Sequence, residues 1–131
     1  MSTFEHRLKV RYMEVDAQGV VFNAWYLTYF DDAMSAYLQR TGVRYEQFVG
    51  SGYDTQVVNA DISWSRGLRW QEEVAIEVRP VRVGNTSFVL EFTAKGEDGA
   101  VACKAAIVYV VIAADTGTKT SVPRAISDLL T

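Results

Sequence analysis

A chain of 131 residues, 49% hydrophobic and 22% charged, has room for one core of ordinary size and too little for two. It reads as one domain over residues 1–131, and its net charge of −3 leaves no electrostatic footprint for nucleic acid or an anionic membrane. One cysteine cannot close an internal disulfide, no apolar run reaches the ~18 residues of a membrane span, and no charged-then-apolar leader opens the chain, so a cytoplasmic location is expected.

In chain order, Leu8, Val10 and Tyr12 alternate with charged residues, the pattern of a half-buried first strand. A loop over 13–22 then leads to the only long helix this sequence can build. Leu27, Phe30, Met34 and Leu38 form its apolar stripe, widened by Tyr26, Tyr29, Ala33 and Tyr37 at three- and four-residue steps. Asn23 is the expected N-cap and Gly42 the expected stop, which gives about eighteen residues and roughly 27 Å of helix. Tyr45, Phe48 and Val49 suggest a short second helix or turn, closed by Gly50 and Gly52.

From Tyr53 the period changes to two. Val57, Val58, Ile62 and Trp64 mark one strand, and Val74, Ile76 and Val78 the next, with Pro80 predicting a bulge or an edge before Val81 and Val83. Gly84 and Asn85 signal a turn; Phe88, Leu90 and Phe92 line one face of the following strand. Asp98 and Gly99 predict a tight hairpin because both tolerate the positive φ of a primed turn. Beyond them Val101 to Ile112 is apolar on both faces, the mark of a central strand, and Pro123 opens a short C-terminal helix through Leu130. The result is an α+β domain: an antiparallel sheet with one amphipathic helix to cover. The second apolar face of the central strand, or a sheet edge, is expected to meet another subunit.

The residue inventory excludes several machines. His6 is the single histidine and Cys103 the single cysteine, too few for a Ser/His/Asp triad or a zinc site. Cys103 falls in a buried strand, where it packs as a small apolar residue. There is no glycine-rich phosphate loop. Asp16 remains. A carboxylate a few residues before a helix start lies beside N–H groups that have no intrahelical partner. Those amides can polarise a carbonyl while the carboxylate attacks it or takes a proton from water. The alternative is that Asp16 only caps its own turn.

The run Asp16, Ala17, Gln18, Gly19, Val20, Val21, Phe22, followed by Tyr26, Leu27, Tyr29 and Phe30, resembles the signature of the 4-hydroxybenzoyl-CoA thioesterase and YbgC-type acyl-CoA thioesterases of the hotdog superfamily. The similarity is strongest over residues 9–38, and a weaker likeness continues through Ser65 to Val78, where Glu72 and Glu73 precede a strand. This resemblance implies a hotdog fold, a curved antiparallel sheet of five to six strands wrapped around one long central helix, assembled as a homodimer or homotetramer with substrate at the subunit interface. It implies that Asp16 is the catalytic carboxylate and that the helix-start amide, at Asn23, polarises the thioester carbonyl. Gly19 would permit close backbone approach, and Val20, Val21 and Phe22 would wall the acyl pocket. Trp25 and Tyr26 would extend that wall, with helix packing as the other reading of each. Many YbgC-type members carry His where Asn23 stands, so a side-chain role there is absent. The relatives' Glu on the helix is matched by Asp31, beside Asp32. Where relatives carry cations near the strand turn, this chain has Gly84, Asn85 and Thr86. That leaves Arg66, Arg69 and Arg82 as candidates for coenzyme A phosphates, or as exposed strand-end charge.

Hydrolysis of acyl-CoA is thus the leading expectation, with coenzyme A entering as part of the substrate and no separate cofactor or metal. A non-hydrolytic acyl- or aryl-binding protein and a thioesterase acting on acyl-carrier protein are the alternatives.

Overall fold

A computed structural model describes residues 4–40 and 45–130. The expected Gly42 helix stop lies outside these described residues. Strand β1 (Phe4–Lys9) and a 3₁₀ turn (Tyr12–Glu14) precede helix α1 (Trp25–Gln39). After α2 (Tyr45–Gly50) come β2 (Tyr53–Trp64), β3 (Glu73–Val83), β4 (Ser87–Lys95), β5 (Val101–Ala113) and α3 (Arg124–Leu130). All pairings are antiparallel, in the order β1-β3-β4-β5-β2. Among the described residues no helix is long and apolar enough to cross a membrane.

The core forms where two periodicities meet. On the sheet, Val78 faces Phe92 and Phe92 faces Ala105, while Leu90 faces Ile107 and Phe88 faces Tyr109, so each row of partners shares one side of the pleat. These side chains are almost wholly buried. Helix α1 presents Tyr26, Tyr29, Phe30, Ala33, Met34, Tyr37 and Leu38 to the same core, and Phe30 stacks on Phe92 with ring centroids 5.0 Å apart. The other side of β3 and β4 carries the ion pairs Arg79–Glu91 and Lys95–Glu77.

Several expectations are corrected. Leu27 is 44% exposed, at the margin of the stripe, while the other seven anticipated positions are buried. Tyr12 does not extend β1: the chain turns after Lys9, and Tyr12 is 74% exposed with its ring edge-on to Trp70. Asn23 is not the helix cap. That position falls to Ala24, already helical at φ −67° and ψ −25°, with no side-chain cap. In the β4–β5 hairpin only Gly99 takes a positive φ, 78°, and Gly99 N–H donates to Gly96 O at 2.9 Å, so the loop is wider than a two-residue primed turn. The bulge at Pro80 is present between Pro80 and Arg82, but β3 is an inner strand, and Pro80 simply lies past Val78, the last residue paired with β1. On the second face of β5, Val110 and Ile112 are already buried within the chain and Ala106 and Val108 are half-buried. An open apolar surface remains on the edge strand β2, where Val57, Val58 and Trp64 are 48%, 55% and 49% exposed.

One charge sits inside this framework. Glu14 is 1% exposed. Its Oε1 accepts the Arg11 N–H at 2.9 Å and the Tyr29 hydroxyl at 2.7 Å, and its Oε2 accepts Arg11 Nε at 2.9 Å and Nη2 at 2.6 Å. Burial alone would raise its carboxyl, but these hydrogen bonds and the guanidinium charge hold it below the ordinary 4.5.

The packing and this buried carboxylate each generate a prediction. Phe30→Ala removes a ring from the helix–sheet contact and is expected to cost about 3–5 kcal/mol in urea unfolding, with a loss under ~1 kcal/mol contradicting the assigned core. A depressed folded-state pKa means that Glu14 adds stability above its unfolded pKa and loses it as pH falls through the folded value. Between about pH 5 and 3 the native melting temperature should therefore fall more steeply than that of Glu14→Gln, whereas parallel curves would contradict the ionised, paired state.

Candidate active site

The segment between the 3₁₀ turn and α1 is a miniature hairpin. Val15 bridges to Val21, Asp16 N–H donates to Val20 O at 2.9 Å, and Gly19 N–H donates to Asp16 O at 2.9 Å. Gly19 sits at φ +79°, and a Cβ added there would meet nothing within 4 Å. Its requirement within the chain is therefore conformational. Close packing within the chain is the requirement at Gly67, where a Cβ would collide with Val20. Asp16 is half-buried at the turn, and its Oδ1 accepts the Gln18 N–H at 2.8 Å. The carboxylate thus caps its own turn, the structural role anticipated for it, while also facing a cleft.

Past the hairpin the amides are consumed one by one until the helix begins. Val21 N–H donates to Leu68 O at 2.8 Å and Phe22 N–H to Glu14 O at 2.9 Å, while Trp25 N–H bonds Phe22 O at 3.0 Å. The Asn23 and Ala24 N–H groups between them donate to no described residue. They lie immediately before α1, at the N-terminal end where the helix dipole favours developing negative charge.

An open cleft of ≈ 680 Å³ unites these features, lined by Asp16, Val20, Val21, Phe22, Asn23, Tyr26 and Arg66, together with Trp64, Ser65 and Gly67. Most of the anticipated site residues therefore converge here. Tyr26 is buried, and burial pushes its hydroxyl up to about 12 against the opposing Leu68 backbone, so it is a neutral wall. Gly19 shapes the turn without lining the cleft, and Trp25 packs half-buried against the core instead. A second cleft of ≈ 810 Å³ shares Val20, Arg66 and Gly67 with the first and adds Arg69, Trp70, Glu72, Glu97 and Asp98. Arg66 is committed there: it pairs with Glu72 at 2.8 Å and Asp98 at 2.9 Å and donates to Gly67 O at 2.7 Å. Arg69 is exposed in this cleft, and Arg82 lines neither one.

Other titratable groups fall away from this centre. His6 lies 2.8 Å from Asp32, tying β1 to α1. Burial pushes the Cys103 thiol up to about 12, which keeps it protonated and inert. No group of three or more His, Cys, Asp or Glu among the described residues could hold a metal ion. Asp31 lines a groove of ≈ 410 Å³ between α1 and β2 with Ser35, Thr55, Val57 and Tyr109. Burial raises its carboxyl, and the Tyr109 hydroxyl is buried with no hydrogen-bond partner among the described residues. Glu14, Gly67, Trp64 and Tyr109 were not singled out as site residues by the sequence. Of these only Glu14 left a trace, its three-residue spacing from Arg11.

The family model described as thioesterase superfamily matches residues 18–103, beginning just beyond Asp16. An Aquifex aeolicus protein provisionally described as an esterase is 25% identical over 127 residues, 97% of each chain. A Bacillus subtilis protein provisionally described as an acyl-CoA thioesterase is 28% identical over 76 residues, 58% of this chain and 55% of its own length. Among solved structures, the DHNA-CoA thioesterase of Staphylococcus aureus matches with a TM-score of 0.91 at 21% identity, over 98% of this chain and 86% of its own. The helix-and-sheet architecture is the hotdog fold, and with residues 18–103 of 131 matched, the chain belongs to the thioesterase superfamily.

Proposed function

We propose that the protein hydrolyses acyl-CoA thioesters, in the manner of the 4-hydroxybenzoyl-CoA and YbgC-type enzymes. The observation that carries this reading is the meeting, in one cleft, of the Asp16 carboxylate with the open Asn23 amide at the start of α1. A thioester carbonyl held by that N–H gains a donor and the positive end of the helix dipole, both aimed where the oxyanion forms. Asp16 then either attacks the carbonyl carbon, giving an acyl-enzyme anhydride that water hydrolyses, or removes a proton from the attacking water. Coenzyme A departs as a thiolate, which needs little acid assistance because an ordinary thiol pKa is about 8.5. The cycle needs no bound cofactor.

Arg69 is the cation we assign to the coenzyme A phosphates, since Arg66 is engaged by Glu72 and Asp98 and Arg82 lies outside both clefts. Glu72, Glu97 and Asp98 make the neighbouring rim a poor match for an acidic carrier protein, which places acyl-carrier substrates second. We further assign a second copy of the chain to the exposed β2 edge: an open edge bearing Val57, Val58 and Trp64 calls for cover, and Trp64 also lines the Asp16 cleft, so the site would lie at that interface.

For the acyl group, Val20, Val21, Phe22 and Tyr26 would wall the Asp16 cleft, and the separate Asp31–Tyr109 groove would take a ring hydroxyl, satisfying the buried Tyr109 hydroxyl, where a second copy sets its groove against that cleft. The DHNA-CoA thioesterase likeness is in keeping with such an acid. A non-hydrolytic binding protein is the competing reading, and it draws on the capping role of Asp16.

Thiol release from short, medium, long-chain and hydroxyaryl acyl-CoAs tests all of this. Asp16→Asn at matched folding should lose roughly two orders of magnitude or more of turnover while still binding substrate; equal turnover in variant and native protein would sink the mechanism. Tyr109→Phe should lower kcat/KM about tenfold for hydroxyaryl substrates alone, the worth of about one hydrogen bond. An equal loss on aliphatic chains would overturn the groove assignment.

A further inference from the structure

The hairpin that carries Asp16 is joined to α1 through one side chain, and that side chain is a buried carboxylate. Glu14 stands at the base of the hairpin, directly before the Val15–Val21 bridge. Its backbone oxygen accepts the Phe22 N–H at 2.9 Å, immediately before the open Asn23 amide. Its side chain accepts the Tyr29 hydroxyl at 2.7 Å, further along α1 beyond that amide. The two attachments therefore bracket the Asn23 and Ala24 amides in the chain. Arg11 completes the clamp from the end of β1, with three hydrogen bonds to the same carboxylate.

A packing role alone does not account for this choice. Glu14 is buried while the Arg11 side chain stays 66% exposed, and a carboxylate taken out of water costs desolvation that an apolar side chain of similar volume would not. What this one supplies is a fixed relation between two elements. The hairpin's own hydrogen bonds, Asp16 N–H to Val20 O and Gly19 N–H to Asp16 O, shape the turn but do not say where it stands relative to the helix. Among the described residues, no other hydrogen bond from a side chain of 14–22 reaches α1. Catalysis by a carboxylate and an amide on separate elements depends on that relation, since a misplacement of about 1 Å costs on the order of a hundredfold.

We propose that Glu14, held by Arg11 and Tyr29, is the positioning residue that sets the Asp16 carboxylate against the Asn23 amide. The proposal rests on the thioesterase reading above, with Asp16 and Asn23 as the reacting pair. Glu14 does not line the Asp16 cleft and so acts only through the groups it holds.

The test uses the full-length protein. In Glu14→Gln one carboxylate oxygen becomes an NH₂ that confronts the donors of Arg11 or Tyr29, whereas Tyr29→Phe removes a single donor. Below the melting transition, Glu14→Gln should lower kcat about 10- to 100-fold with KM within about twofold, and Tyr29→Phe should have a smaller effect of the same kind. Added to Asp16→Asn, the Glu14→Gln substitution should cost little more, because its effect passes through Asp16. Amide hydrogen exchange supplies a readout independent of turnover. The Asp16 and Phe22 amides should exchange at least about tenfold faster in Glu14→Gln, with those of β4 unchanged. Undiminished protection at Asp16 and Phe22, a loss confined to KM, or full multiplication of the two substitutions would each overturn the proposal. If the native protein released no thiol from any substrate, the thioesterase reading would fail by itself, and hydrogen exchange would still decide whether Glu14 holds the hairpin.

Discussion

Burial of the Tyr26–Leu38 face of α1 against the sheet is the constraint on which the rest of the molecule depends. Seven side chains at three- and four-residue steps meet the rows built by β3, β4 and β5, with the Phe30–Phe92 stack among those contacts. Once that face is committed, the direction of the helix axis and the position of its first turn follow. Those first amides cannot be satisfied from within the helix. Phe22 is taken by Glu14, and the next two are left open, with Asn23 lining the cleft. A packing requirement thus places a pair of donors at the protein surface with a helix dipole behind them.

The carboxylate arrives by a different route. The hairpin over 15–21 needs Gly19 for its positive φ and the bare Cα of Gly67 so that Val20 can lie against the β2–β3 connection. Neither glycine touches a reacting atom in the proposed mechanism. They let a short, tight turn bring Asp16 to the same cleft that Asn23, just before the helix, also lines. The Glu14 carboxylate is the link between the two elements, and its four accepted hydrogen bonds offset the cost of burying a charge.

Much of this was legible in the chain, for physical reasons that also explain what was not. Strands β3 and β4 alternate strictly because one face is buried, so Val74, Ile76 and Val78, then Phe88, Leu90 and Phe92, announced themselves, as did the bulge at Pro80. Asp16 stood out by elimination and by its place before a long amphipathic helix. Finer features depended on contacts that spacing does not encode. Leu27 is as apolar as Phe30, and only the rotation of α1 leaves it outside. The cap at Ala24 is a backbone conformation, which Asn23 as the better capping residue concealed. Asp98 tolerates a positive φ, yet the wider loop needs one only at Gly99. Arg66 read as a free cation because its partners Glu72 and Asp98 lie six and thirty-two positions away. Glu14 was masked for the same reason: Tyr29, fifteen residues on, decides its role.

The account makes one geometric claim above all, that a thioester carbonyl is held by the first open amide of α1 with Asp16 at its carbon. A crystal structure with a non-hydrolysable ketone analogue of an acyl-CoA tests it most directly. The ketone oxygen should lie about 3 Å from the Asn23 N–H, with an Asp16 oxygen, or a water bound to it, facing the carbonyl carbon. An analogue bound with its carbonyl elsewhere, in the Arg69–Trp70 cleft or the Asp31–Tyr109 groove, would contradict it.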